Sequence, residues 1–440
     1  MKLVKMSLLA ATLIASTAMA AEDTNSTYGG PSNYKVSGDA KLFYSTQDNK
    51  DGNGTVAGHN DDAALFNKTS STAQASATIA VTADLTEGVS AGASIIALST
   101  LGLQGQLVDK VWESTNGTDD SFWFDEAWLA GTTGKTVGKI GRMPLDTPLV
   151  FTETWSIAEN TFEAAVLINQ DIPDTTLIGA YVGGSNGGDL SRILPGNSGV
   201  VIADMNANGT TNFHQFYNGA YTVGAINNSW KPLTVQGWYY DATSIANAYW
   251  LQADLELDFG LVLGGQFTGL NVKKGALGVA QDSQNTAFAV KAGYTVEDIA
   301  SVSAAFSQTG KDDDNGIGAG MNLAASGQSK LYTEAWWNYG YITQNDTSAI
   351  NVTVTTPEKL TWAQLGLYFT QAKTKDGFTG TKGKEDATMT EVTAEAAKSF
   401  GPLDVGVYYI MTKSDTSNKE KPLKKGSAYN TVQAYLTYNF

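Results

Sequence analysis

Five charged side chains in one short stretch could act together: Arg142, Asp146, Glu153, Glu159 and Glu163, spaced among Pro144, Pro148, Trp155 and Phe162. What such a set does depends on where it sits. In a narrow water-filled neck between low-dielectric walls, fixed carboxylates focus field lines, enrich cations and repel anions. In a solvated loop the same acids do little. The stretch reads as strand, tight turn and strand up to Arg142, then as a loop over about 143–161 that returns to a strand. If the remainder closes into a membrane barrel, this loop can fold into the bore and set what passes.

Other chemistry is thinly represented. His59 and His214 are the only histidines, and no HExxH, GxSxG or glycine-rich phosphate motif accompanies them. Cysteine is absent, which removes thiolate metal sites and thiol catalysis. No cofactor is expected, with calcium the one candidate. Asp51 and Asn53, and again Asp204, Asn206 and Asn208, place oxygen ligands at alternate positions before a glycine, as a calcium loop does. Both stretches lack the bidentate Glu at the twelfth position, where Asn60 and Gln215 stand, and Asx and Gly populate turns without any metal. The acidic run 312–316 reads as a turn.

The elements that must position the charged loop are read from period and composition. The 440 residues include 46 Gly, 10 Trp, 19 Tyr and 16 Phe, with a charged fraction of 16 %, below the roughly 25 % of soluble domains. A net charge of −16 argues against nucleic acid and favours cations as partners. Residues 1–20 have a two-lysine start, an apolar run and Ala18 and Ala20 in the spacing signal peptidase accepts, so a cleaved export signal is expected there. Beyond it, no stretch of 18 apolar residues offers a helical span. Instead a period of two repeats along residues 21–440, which read as one barrel. In the last strand Val432, Ala434, Leu436, Tyr438 and Phe440 face one way, and Thr431, Gln433, Tyr435, Thr437 and Asn439 the other. In the first, Tyr34, Val36, Ala40, Leu42 and Tyr44 alternate against Lys35, Ser37, Asp39 and Lys41. Lipid outside and water inside is the arrangement that satisfies both faces.

The alternating segments run ten residues or more, the length a tilted strand needs to cross a bilayer and longer than the strands of soluble sandwiches. Tight turns alternate with long polar connections, and no fixed repeat points to a propeller or solenoid. Strands beginning near 34, 71, 88, 121, 135, 161, 175, 215, 230, 246, 260, 284, 299, 329, 359, 387, 402 and 427 make an all-β transmembrane antiparallel barrel of about 18 strands. One connection, 341–358, should be a short turn and is long and Thr/Asn-rich, so 16 strands or an extra hairpin is the alternative. Within 248–267, Asp254 and Glu256 share the water face with Gln252, and Lys291 likewise lies opposite Phe288, Val290 and Tyr294.

The export signal, the full-length alternation, the terminal strand ending in Tyr438 and Phe440, and the stretch GKIGRMPLDTPLVF together resemble Gram-negative outer-membrane porins. The resemblance is nearest to the major outer-membrane porin type of epsilonproteobacteria, related to the substrate-specific porins of pseudomonads. In those families a Gly-Arg strand end and an Asp-Thr-Pro segment lead into a third outer loop that folds inward; here these are Gly141, Arg142, Asp146, Thr147 and Pro148, with Asn160, Thr161 and Phe162 at the return. The resemblance implies passive diffusion of ions and small hydrophilic solutes, an outer-membrane lipid environment, a homotrimer, and recognition of the terminal Phe440 by the barrel-assembly machinery. The pseudomonad relatives carry basic residues after the Pro; this chain has none between Arg142 and Arg192, so an acidic, cation-preferring constriction is expected from Arg142, Asp146, Glu153, Glu159 and Glu163. Two other classes remain open: a structural or adhesive barrel with a plugged bore, and a barrel hydrolase.

Overall fold

The period of two becomes a single closed sheet. The computed structural model describes residues 31–48, 64–108, 121–153, 157–187, 213–243, 245–276, 279, 281–324, 327–375, 385–418 and 427–440. Residues 1–20 and the calcium candidates Asp51, Asn53, Asp204, Asn206 and Asn208 lie outside the described residues. The strands, in chain order, are β1 (Ser32–Gln47), β2 (Ser71–Thr86), β3 (Val89–Ser99), β4 (Ser121–Thr133), β5 (Thr136–Met143), β6 (Phe162–Asn169), β7 (Thr175–Ser185), β8 (His214–Asn227) and β9 (Leu233–Ala242). They continue as β10 (Ala246–Glu256), β11 (Leu261–Val272), β12 (Ser283–Val296), β13 (Ala300–Thr309), β14 (Thr347–Thr356), β15 (Gln364–Thr374), β16 (Glu385–Phe400), β17 (Leu403–Asn418) and β18 (Ser427–Asn439). Each pairs antiparallel with its sequence neighbour, and β18 returns to β1 over Asp39↔Asn439 to Gln47↔Thr431. The sheet has 18 strands and no free edge, which hydrocarbon demands because an unpaired amide there costs several kcal/mol.

The even count puts the start of β1 and the end of β18 at one end, together with the tight turns. One strand departs from the expected positions. It was expected near 329, but residues 310–346 form a long connection and β14 begins at Thr347. The Thr/Asn-rich stretch that read as an overlong turn is the strand itself. Its Ile350 and Val352 are exposed on the outer face while Thr347, Ala349 and Asn351 are buried inside, so the polar residues are those of a water-facing side. The true turn is residues 357–363, which also moves the next strand start from near 359 to Gln364.

The outer surface is a belt of aliphatic and aromatic side chains, among them Ile79, Phe124, Leu129, Ile140, Leu167, Leu251, Phe288, Val290 and Leu367. At the tight-turn end Trp230, Phe259, Trp362, Phe400 and Phe440 stand exposed, the girdle of a membrane interface. Inside, the glycine and aromatic excess finds its use. Tyr368 lies over Gly366 and Tyr408 over Gly406; a Cβ on either glycine would stand 2.6 Å from the neighbouring ring or its hydroxyl. The wall is uneven in height: β1, β2, β16 and β17 have 16 residues each, whereas β5 and β6 have 8. The charged loop leaves from this low side.

Candidate pore constriction

Among the described residues, two connections fold into the bore. The third outer loop, residues 144–161, makes a narrow turn in which Thr152 N donates to Leu145 O (2.7 Å) and Asp146 bridges Phe151. It then crosses the barrel. Leu149 N donates to the Tyr240 hydroxyl on β9 (3.3 Å), and Ile157 O accepts from Ser76 Oγ on β2 (3.2 Å). Ile157 and Ala158 pack on Ile96 and Leu98 of β3 and Trp123 of β4.

The second inward segment, residues 310–346, was not expected from sequence. Glu391 on β16, itself buried, accepts from Asn338 N (2.8 Å), Asn338 Nδ2 (2.7 Å) and Trp337 N (3.1 Å). Tyr332 N donates to Gln266 Oε1 (3.0 Å) and its hydroxyl to Asp254 (2.6 Å). The two segments also hold each other. Lys330 pairs with Asp146 and lies 4.7 Å from the centre of the Phe151 ring, Asn322 Nδ2 donates to Phe151 O (2.7 Å), and Leu323 N donates to Leu149 O (2.8 Å).

Beside this cross-strut lies an acidic neck. Lys41 on β1 is 3.8 Å from Glu159, and Asp39, Asp125 and Glu153 lie close enough to act on Lys41 electrostatically. Asp125 and Glu126 are adjacent in sequence and would ordinarily point to opposite faces. A bulge resolves this: Ser94 pairs with Glu126 and Ile95 with Phe124, leaving Asp125 as the extra residue. Trp123 and Trp128 are buried inside and Phe124 and Leu129 exposed outside, so both acids fall on the water side. Enclosure by the surrounding protein raises the Glu159 carboxyl above its ordinary range, with Lys41 opposing and Asp39 and Glu126 reinforcing, although the side chain stays 44 % exposed to the bore.

The residues singled out from sequence divide three ways. Glu153, buried, and Glu159 stand at the neck. Asp146 is neutralised by Lys330 in the contact between the inward segments. Arg142 and Glu163 face each other across β5 and β6 at 2.8 Å, on the side shared with exposed Ile140 and Leu167, which is the outside of the barrel. There Arg142 also donates to Phe124 O (2.6 Å) and lies 3.6 Å from the Phe213 ring centre. Phe440 exchanges backbone hydrogen bonds with Gly38 (2.9 and 3.0 Å), and its ring lies 6.4 Å from that of Tyr438 at the seam. Sequence reading missed Asp39, Lys41, Asp125 and Glu126 as a group; the Asp-Glu pair interrupting an alternating strand was the available signal.

Four lysines of the bore are already engaged. Lys291 is 3.8 Å from Asp254 and 4.3 Å from the Tyr332 ring centre, Lys139 lies 4.0 Å from the Trp128 ring centre, Lys41 meets Glu159 and Lys330 meets Asp146. On the second inward segment, burial pushes the Glu334 carboxyl up to about 8, with the Ser329 amide and Lys330 pulling the other way.

No protein-family model and no curated protein matches the chain. Solved structures do. OccK9 (OpdG) of Pseudomonas aeruginosa matches at 13 % identity over 93 % of this chain and 99 % of its own, with a TM-score of 0.67. OccAB1 of Acinetobacter baumannii matches at 13 % identity over 95 % and 99 %, with a TM-score of 0.67. The outer membrane protein OpdK from Pseudomonas aeruginosa matches at 11 % identity over 92 % and 98 %, with a TM-score of 0.65. At such identities the likeness establishes a shared fold. A closed 18-stranded barrel with an apolar outer belt has the build of a membrane-spanning barrel, and it shares its fold with these outer-membrane structures.

Proposed function

We propose that the chain forms a water-filled channel for passive diffusion of ions and small hydrophilic solutes across the Gram-negative outer membrane, with a preference for cations. The observation that carries the reading is the imbalance at the neck: among the described residues, the five acids Asp39, Asp125, Glu126, Glu153 and Glu159 meet two cations there, Lys41 beside Glu159 and Lys139 within electrostatic reach of Glu126, while Lys291 and Lys330 are held by acids elsewhere. Between low-dielectric walls that excess raises the local cation concentration. Glu153 and Glu159 thus remain candidates for the constriction, with Asp146 as its structural tie; Arg142 and Glu163 act from outside the bore.

The same reading takes residues 1–20 as a cleaved export signal, Tyr438 and Phe440 as the segment the barrel-assembly machinery recognises, and a homotrimer as the working assembly. Calcium binding by Asp51, Asn53, Asp204, Asn206 and Asn208 is tested by titration calorimetry on the refolded barrel. A second reading, a structural barrel with a closed bore, draws on the two inward segments tied to each other across it. Planar-bilayer recording in a potassium chloride gradient separates the two. Stepwise conductance with a reversal potential on the potassium side supports the channel, and silence from folded, inserted protein supports the plugged barrel.

A further inference from the structure

The bore carries an aromatic corner that the channel reading does not use. Trp336, on the second inward segment, stacks on Tyr408 of β17 with ring centres 4.7 Å apart and planes 28° apart, and meets Tyr368 of β15 at 5.1 Å. Tyr435 of β18 stands edge-on to Tyr408 at 5.7 Å and 82°, and Phe43 of β1 backs it at 4.8 Å. Trp336 and Tyr435 therefore form two walls set at a wide angle around Tyr408. Both are only half-buried, and since both lie within the barrel their open surface faces the bore.

Behind the rings sits a carboxylate. Glu395 is 4 % exposed; one oxygen accepts from the Tyr368 hydroxyl, and Oε1 has no hydrogen-bond partner among the described residues. Lys41, Lys139, Lys291 and Lys330 have other partners, and no cation pairs with this acid among the described residues. The arrangement is also held in place beforehand. Glu391 pins the backbone at Trp337 and Asn338 next to Trp336, and Gly366 and Gly406 leave the room in which Tyr368 and Tyr408 lie flat.

We propose that this corner, Trp336, Tyr408 and Tyr435 over Glu395, is a binding site for small organic cations of the alkylammonium class on their way through the channel. Ring faces attract a cation through their quadrupole, and a quaternary ammonium surrenders its weak hydration far more readily than potassium does. The buried carboxylate strengthens the attraction because little water intervenes. The proposal names a solute class for the same bore and rests on the reading that the bore conducts.

Choline in potassium chloride, recorded as block of single-channel potassium current, tests it. Wild type shows millimolar block; Trp336→Leu weakens it about tenfold, Trp336→Phe retains most of it, and the potassium chloride reversal potential stays unchanged in both. The uncharged isostere 3,3-dimethylbutan-1-ol blocks far less than choline. Equal choline block in wild type and Trp336→Leu, or equal block by the neutral isostere, overturns the site. If Trp336→Leu does not insert, Tyr435→Leu puts the same question from the barrel wall. The two readings fail separately. A cation-selective pore whose choline block ignores Trp336 sinks the site alone, whereas an unselective pore with Trp336-dependent block sinks the inorganic cation preference alone.

Discussion

Removing the charge of Glu159 gives the sharpest test of the acidic neck. Glu159 lies 3.8 Å from Lys41, and the two nearly cancel for a distant ion. Glu159→Gln removes one of the acids around Lys41 and makes the neck one unit more positive; Lys41→Gln makes it one unit more negative. For a permeant ion about 4 Å away, one unit charge is worth roughly 1 kcal/mol in bulk-like water and roughly 4 at the protein surface. Glu159 is 44 % exposed, so the lower figure applies, which is about a fivefold change in relative cation occupancy. The order of potassium over chloride permeability is then Lys41→Gln, wild type with the double variant beside it, and Glu159→Gln last. Reversal potentials in a planar bilayer read this directly. The spread should shrink from 0.1 M to 1 M salt as the screening length falls from about 10 to about 3 Å. Because Glu159 titrates above the ordinary carboxylate range, the difference between wild type and Glu159→Gln also narrows on acidification. An open pore whose selectivity is the same in all four proteins at 0.1 M refutes the assignment of the neck to this pair.

Three other outcomes follow from the contacts described. Lys330→Met leaves Asp146 without its partner between the inward segments and should cost about 1–3 kcal/mol of local stability, seen as larger and noisier single-channel currents; Asp146→Asn added to it should quieten them again. Glu334 keeps its proton in the folded state up to about 8, whereas the unfolded chain releases it near its ordinary value, so this group's contribution to stability falls as pH rises between those limits. Glu334→Gln should accordingly lose less thermal stability than wild type between pH 5 and pH 9 in detergent. Deleting Phe440 removes two backbone hydrogen bonds to Gly38 at the closing seam, and the fraction of heat-modifiable barrel in the membrane should drop; an undiminished fraction would show that β18 closes without its last residue.

Much of this was legible in the chain. Alternation is a local property, dictated by a two-residue pleat between lipid and water, so the strands near Tyr34 and Tyr438, the inward Asp254 and Lys291, and the count of eighteen could be read from residue order. So could the third outer loop, through its prolines and acids. Sequence could not say on which side of the wall a residue near a strand end falls. Arg142 and Glu163 belong by composition to the charged loop, but the pairing of β5 with β6 puts them outside, while a single bulge brings Asp125 and Glu126 inside together. Nor could it separate a strand from an inward segment when both are rich in Thr, Asn and aromatics. Residues 329–341 look like barrel wall until Glu391, Gln266 and Asp146, all remote in sequence, supply the partners that hold them in the bore. Local pattern determined the barrel; long-range contacts alone decided what stands across it.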